Sequence, residues 1–384
     1  MPEERSGPLV GLRIIEIGGI GPAPFCAMLL ADMGAEVVRV NRSTGGADGA
    51  VFDLPLLARG RRSIALDLKN PSGLATLLRL VERADGLIEG FRPGVAERLG
   101  FGPDVCHEHN PRLVYGRMTG WGQTGPMAGM AGHDINYIAL SGALGAIGRR
   151  GEPPLAPLNL VGDFGGGGML LAFGVLAALL ERQHSGRGQV VDASMVDGSA
   201  LLMTMIYEMM GSGFWRPERG TNALDSGAPF YDVYETADGE YVAFGSLEPK
   251  FFAELVAALE LDGVDLAHQN HTKTWPALRE RIAGAVKRRT RREWEERMRG
   301  SDVCFAPVLH PSEAPEHPHN VERKTFIDVG GIVQPAPAPR FSRTPGRVTA
   351  PAAVRGEHGR EILEDWGFDD AEIERIGAEG GLLL

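Results

Sequence analysis

The stretch LRIIEIGGIGPAPFCAMLLADMGAEVVRVNR, residues 12–42, decides the fold. Residues 12–17 are an apolar run of strand length, residues 25–33 have helical character, and residues 36–40 read as a second strand. Strand, helix and strand in such close succession make a βαβ unit, whose strands run parallel because a helical crossover joins them. Working outward, residues 63–68 give a third strand. Asn70 follows as an N-cap before Pro71 at the first helical position, a pairing that starts a helix running to about residue 84. Residues 86–91 and 113–118 return as strands, and 119–126 is a Gly-rich turn. In GHDINYIALSGALGAIG, residues 132–148, the first half has helical character. An apolar helix opens at Gly162-Asp163-Phe164-Gly165 and ends at Ser185-Gly186, ahead of a strand over 189–193. The expectation is an α/β fold: over residues 1–200, an open parallel sheet with helices on both faces.

The texture changes near residue 230. Residues 231–236 and 240–245 flank Ala237-Asp238-Gly239, an Asp-Gly hairpin signal, and amphipathic helices follow over 250–259 and 275–287. Residues 225–327 therefore read as a smaller α+β domain. Residues 335–339 are proline-rich, as a linker is. The segment 328–384 is expected to return to the large domain, its tail 357–376 forming two short helices broken at Gly367.

A chain of 384 residues is long enough for two domains. Its formal net charge of −11 argues against a general nucleic-acid binder, so a polyanionic ligand needs a local arginine cluster. Cys26, Cys106 and Cys304 form no CxxC pair, which gives neither a disulfide framework nor a zinc site and fits a reducing cytosol. The start of the chain lacks the order of a signal peptide, and the apolar run 169–180 is shorter than the roughly 20 residues of a membrane span. That run reads as a buried core helix, and the expected location is the cytoplasm, with no membrane partner.

Gly18-Gly19-Ile20-Gly21 after the first strand invites a dinucleotide reading, but Pro22 and Pro24 lack the N–H groups a pyrophosphate needs. Asn41-Arg42 also stands where an NAD site wants a carboxylate. Arginines gather near the predicted strand ends: Arg39, Arg42, Arg59, Arg61, Arg62, Arg92 and Arg98. A solvated basic face and a phosphate site explain them equally well. His133 stands between Gly132 and Asp134, a setting more often structural than catalytic. Asp163 precedes the run Gly165-Gly166-Gly167-Gly168 and reads either as an N-cap or as a catalytic carboxylate. Four glycines at a helix start cost roughly 0.5–1 kcal/mol each against alanine, which suggests that a ligand's bulk approaches the backbone there. His107 and His109, and His310, His317 and His319, lack partners at metal-ligand spacing, so no metal is expected. Neither a Gly-x-Ser-x-Gly elbow nor a P-loop occurs.

Taken together, residues 11–42, GHDINYIALSGAL, APLNLVGDFGGGGM, RGTNALDSGAPFYDVYETADGEYVAFGSLEP and GEHGREILEDWGF resemble the α-methylacyl-CoA racemases of the family III CoA-transferase superfamily. The resemblance implies a large Rossmann-like domain plus a small α+β domain, two subunits interlocked as a homodimer, and an acyl-CoA thioester as substrate. Coenzyme A then enters as part of the substrate, and no other cofactor is implied. It places catalytic groups at His133 and Asp163, with Glu248 orienting the histidine. It places CoA contacts at Arg42, Leu66, Asp67, Leu68, Lys69, Arg92 and Arg98, and along Gly132, Asp134, Ile135, Asn136 and Tyr137. Asn41 departs from the aspartate common in the family before that arginine, and the stretch 43–57 is longer than usual.

The chemistry suits these residue types. Inverting an α-carbon beside a thioester requires removing a proton from one face and returning it on the other, which two bases do and one does not. Helix-start amides near Asp163 are candidates for holding the enolate oxygen. The rival is a CoA-transferase with Asp163 as nucleophile, in which His133 has no second-base role. Met195, Met203, Met205, Met209 and Met210 could line a permissive acyl surface, although core packing is the commoner use of methionine.

Overall fold

The computed structural model describes residues 5–43 and 55–383, so most of the long 43–57 stretch lies outside the described residues. The chain divides into two compact units, one comprising residues 1–141, 158–202 and 324–384, the other 142–157 and 203–323.

In the first unit β1 (Arg13–Ile17), α1 (Pro22–Asp32), β2 (Glu36–Arg42), β3 (Arg62–Leu66), α2 (Pro71–Val81) and β4 (Gly86–Glu89) bear out the βαβ reading. Then come α3 (Val95–Leu99), α4 (Pro103–His109), β5 (Val114–Thr119) and α5 (Asp134–Leu140). The short α6 (Ala143–Ala146) belongs to the second unit. A π-helical segment, Leu160–Met169, runs on into α7 (Leu170–Ser185), followed by β6 (Val190–Ser194) and α8 (Met195–Leu202). Asn70 caps α2 as its sequence predicts, accepting the Ser72 N–H at 2.9 Å.

The six strands lie in the order β3-β2-β1-β4-β5-β6, and every pair is parallel. Neighbouring residues of each strand point to opposite faces, so apolar runs such as Ile14-Ile15 serve two cores. Ile15, Val38, Ile64 and Leu66 pack with Leu77 and Leu80 of α2, and with Ile362 and Trp366 from the end of the chain. Ile14, Val37, Ile88 and Val114 face Ala27 and Leu30 of α1 and Leu171 and Val175 of α7. Connections leave β1 and β4 in opposite directions, which opens a crevice at the carboxyl ends of these two strands, where ligands of open α/β sheets bind.

The run 169–180 departs from its expectation of full burial. Leu171, Val175 and Leu179 are buried, while Met169, Phe173 and Leu180 are more than half exposed. Together with the π-helical turns the helix spans 26 residues, Leu160–Ser185, long and apolar enough to cross a membrane by length and composition. Its inner face is a protein core instead: Leu171 and Val175 fill the space over Gly116 of β5.

The second unit holds α9 (Thr204–Gly211), β7 (Tyr231–Glu235), β8 (Tyr241–Gly245), α10 (Pro249–Ala258), α11 (Trp275–Val286), α12 (Arg291–Met298), β9 (Phe305–Val308) and α13 (Pro318–Arg323). The antiparallel sheet runs β7-β8-β9, and its hairpin turns at Gly239 with φ +82°, as Asp-Gly requires. Phe230, Phe252, Trp275 and Trp294 form its core. Of the five methionines, only Met195 is core; Met205 and Met210 are about half exposed, against the packing expectation.

The chain returns to the first unit with β10 (Phe326–Val329), β11 (Ile332–Pro335), α14 (Gly359–Asp365) and α15 (Asp370–Ala378). The last two are separated by Gly367 at φ +87°. The β10–β11 hairpin abuts the proline-rich segment, which had suggested only a linker.

Candidate active site

A parallel sheet collects all its carboxyl ends on one edge, and the expected ligand-binding residues stand there. Arg42 is the last residue of β2, Leu66 ends β3 with Asp67, Leu68 and Lys69 just beyond, and Arg92 follows β4, with Arg98 in α3. The seven arginines split. Arg59 bonds Asp32 at 2.5 and 3.1 Å, Arg61 pairs with Glu16, Arg39 reaches Glu16 at 3.5 Å, and Arg62 bonds Glu36 and Asp365. These four are structural. Arg42, Arg92 and Arg98 are exposed and make no ion pair among the described residues, so their charge is available to an anion. The Leu66 side chain belongs to the core, and the Asp67 amide donates to the Gly381 carbonyl at 3.0 Å.

His133 owes its position to two glycines. The Tyr137 ring lies across Gly120, beyond β5, and a Cβ on Gly132 would fall 2.7 Å from that ring and 2.9 Å from Trp121. Trp121 and Tyr137 meet edge to face at 4.7 Å. His133 is the N-cap residue of α5, exposed, its backbone N–H held by the Asn136 side chain at 3.0 Å. Of the segment 132–137, then, Tyr137 is framework, Asn136 is a cap, Ile135 is exposed, and His133 presents its imidazole.

Asp163 is not an N-cap. The helical segment begins at Leu160, the cap position is Asn159, and Asp163 lies in the first turn. Its N–H donates to Asp134 Oδ2 at 2.7 Å, so that amide is not available to an enolate oxygen. Its own Oδ2 accepts from the Asn159 side chain at 3.2 Å. The glycine run serves helix packing rather than a ligand. A Cβ at Gly166 would fall 2.6 Å from the Ser199 nitrogen of α8, at Gly167 2.9 Å from Met195, and at Gly168 2.7 Å from Phe25 and from the Pro22 carbonyl of α1. Only glycine lets the π-helical turns settle between α1 and α8.

The electrostatics join these parts. Burial pushes the Asp163 carboxyl above the usual carboxylate range; Asn159 and His133 oppose the shift, and the Asp134 charge adds to it. Burial pushes Tyr137 up to about 12, helped by the Asp163 and Asp134 charges and opposed by Arg92. His133, Asp134, Asp163, Tyr137 and Arg92 thus share one electrostatic neighbourhood at the sheet's carboxyl edge. An imidazole beside a carboxylate of raised proton affinity is a pair suited to moving protons. Glu248 belongs to the second unit, exposed at the N-cap of α10, its carbonyl accepting the Phe252 N–H at 2.9 Å. Sequence reasoning missed Trp121 and Asn159; the Trp-Gly of the turn after β5 was the available signal for the first.

Residues 9–359 match the CoA-transferase family III model. The chain is 47% identical over 376 residues to a Mus musculus protein named alpha-methylacyl-CoA racemase, covering 97% of this chain and 96% of that one. It is 45% identical to the Homo sapiens protein of the same name, with the same coverage. A solved structure of a CAIB/BAIF family protein from Brucella suis shares the fold, with a TM-score of 0.80 at 24% identity over 94% of this chain and 100% of that one. With the family match running from residue 9 to residue 359, and relatives of this identity covering nearly the whole chain, the protein belongs to CoA-transferase family III.

Proposed function

We propose that the protein is an α-methylacyl-CoA racemase, interconverting (R)- and (S)-2-methylacyl-CoA by two-base proton transfer through an enolate. The observation that carries this is the pairing of an exposed imidazole, His133, with a half-buried carboxylate of raised proton affinity, Asp163, which feels the histidine's charge. The names of its relatives agree. One group removes the α-proton while the other delivers a proton to the opposite face. Raised proton affinity suits Asp163 to both halves of that task, since a base works best with its pKa near the working pH. First-turn amides of the 160–169 segment, other than that of Asp163, face the enolate oxygen. Arg42, Lys69, Arg92 and Arg98 meet the phosphates of coenzyme A.

The proposed reaction calls for no metal or redox cofactor, because two side-chain acid–base groups suffice to move the α-proton. The exposed outer face of the continuous helix Leu160–Ser185, with Met169, Phe173 and Leu180, supports a homodimer, because exposed apolar faces of this kind mark interaction sites. The reading also carries a cytoplasmic place in fatty-acid and lipid metabolism, with neither nucleic acid nor membrane as partner.

Proton NMR of single-enantiomer 2-methylacyl-CoAs in D2O, with excess chelator, tests it. Deuterium should enter at the α-carbon as optical purity falls. Transfer of CoA to added carboxylates without exchange would establish the transferase reading. Loss of activity in EDTA, restored by a divalent ion, would overturn the cofactor statement.

A further inference from the structure

Asp134 is an unusual carboxylate. It follows His133 directly, opens α5, and is only 5% exposed. An acidic residue in the first turn of a helix ordinarily works from the surface, against the helix dipole. This one is turned inward onto another element. Its Oδ2 accepts the Asp163 N–H at 2.7 Å, across 29 residues of sequence, while its Oδ1 is buried with no hydrogen-bond partner among the described residues. Burying a carboxylate with half its acceptor capacity unused is unfavourable, so the placement needs a return. Room for it is made deliberately: a Cβ at Gly162 would fall 2.6 Å from Oδ2 and 2.9 Å from Cγ of Asp134, with Ile138 closing the same space at 3.2 Å.

Building on the racemase reading, we propose that Asp134 is a positioning residue that fixes the spacing between His133 and Asp163. The path from imidazole to carboxylate crosses one peptide bond, from His133 to Asp134, and one hydrogen bond, from Asp134 Oδ2 to the Asp163 amide. No flexible loop intervenes on that path. The substrate's α-carbon must sit between the two bases, and a displacement of about 1 Å there costs on the order of 10²-fold in rate. The Asp134 charge also adds to the burial that raises the proton affinity of Asp163. Gly162 belongs to the same device, as the residue that leaves space for the clamp.

The test is steady-state racemisation of 2-methylacyl-CoA by wild type, Asp134→Ala, Asp134→Asn, Gly162→Ala and the Asp134→Ala/Gly162→Ala double variant, each with a thermal melt. Asp134→Ala should lower kcat roughly 10- to 100-fold with KM changed less than about threefold, the split expected when geometry at the reacting atoms is lost and ground-state binding is kept. Asp134→Asn keeps an acceptor oxygen and should recover most of kcat. Gly162→Ala breaks the clamp from the other side, so its loss and that of Asp134→Ala should not add in the double variant. Should Asp134→Ala fail to fold, the opposed predictions for Asp134→Asn and Gly162→Ala decide. Wild-type kcat in Asp134→Ala, additive losses, or a rise in KM alone overturn the clamp. A wild type that exchanges no α-proton overturns the racemase reading on which it rests.

Discussion

Two carboxylates of the first unit, Asp32 and Asp163, are both pushed toward higher pKa by burial, yet they are provided for differently. Asp32, at the end of α1, receives a guanidinium in two-point contact, Arg59 at 2.5 and 3.1 Å. Arg59 is held in turn by Gln334 and the Pro335 carbonyl at 2.7 and 2.8 Å. Asp163 receives an amide nitrogen from Asn159, and a second carboxylate is fastened to its backbone. A cation beside Asp32 opposes its protonation and locks α1 to the β11 hairpin. Asp163 makes no ion pair with an arginine or lysine among the described residues, and only the Asn159 amide and the His133 charge oppose its raised proton affinity. The contrast separates a carboxylate that holds the fold from one that exchanges protons.

The largest expected effect breaks the contrast at Asp163. Asp163→Ala and His133→Ala should each reduce racemisation by about 10²–10⁴-fold, the usual contribution of a positioned acid–base group. Each variant should retain slow solvent exchange, with retention of configuration, for a different enantiomer. Deuterium content and configuration, followed separately from each pure enantiomer, read this out; residual exchange of the same enantiomer in both variants would mean the two bases share a face. Next in size is Arg59→Ala, which strands Asp32 in the interior. Breaking a buried pair on one side costs about 3–5 kcal/mol, so the urea midpoint should fall sharply while kcat per folded molecule is kept. A midpoint within error of wild type would show that the pair does not hold the fold.

The smallest effect sharpens the comparison through pH. A carboxyl whose folded pKa lies above its unfolded value disfavours the folded state once ionised. That penalty is fully present above the folded pKa and vanishes below the unfolded one. Asp163→Asn should therefore melt higher than wild type near neutrality, and the gap should close as pH falls through the carboxylate range. Melting curves from pH 7 down to about pH 4 measure it. A gap that widens on acidification would contradict the raised proton affinity.

Much of this was legible in the residues because strand and helix periods announce themselves locally. The βαβ order, the Asn70-Pro71 start and the Asp-Gly hairpin rest on single chemical rules and fall where those rules put them. What was not legible depends on partners distant in sequence. Arg59 reads like Arg42 until Asp32 and Gln334 are seen around it. The four glycines suggest a ligand until α1 and α8 are found filling the same space. The π-helical turns over 160–169 have no periodic signature, so the N-cap alternative for Asp163 sets the helix start one turn too late. Nothing in GHDINY shows that the Asp134 side chain turns inward.

The segment that completes the edge of β3 is made long after β3 itself. Leu66 bridges Leu382, Asn70 Nδ2 reaches the Glu379 carbonyl at 2.7 Å, and Trp366 packs in the same core as Val38 and Ile64. During synthesis the first three strands emerge some three hundred residues ahead of these partners. Until then one apolar face of a parallel sheet and the end of its edge strand stand open, a surface that invites pairing with other nascent chains. The native state of the first unit is therefore reached only once residues 359–382 have been made.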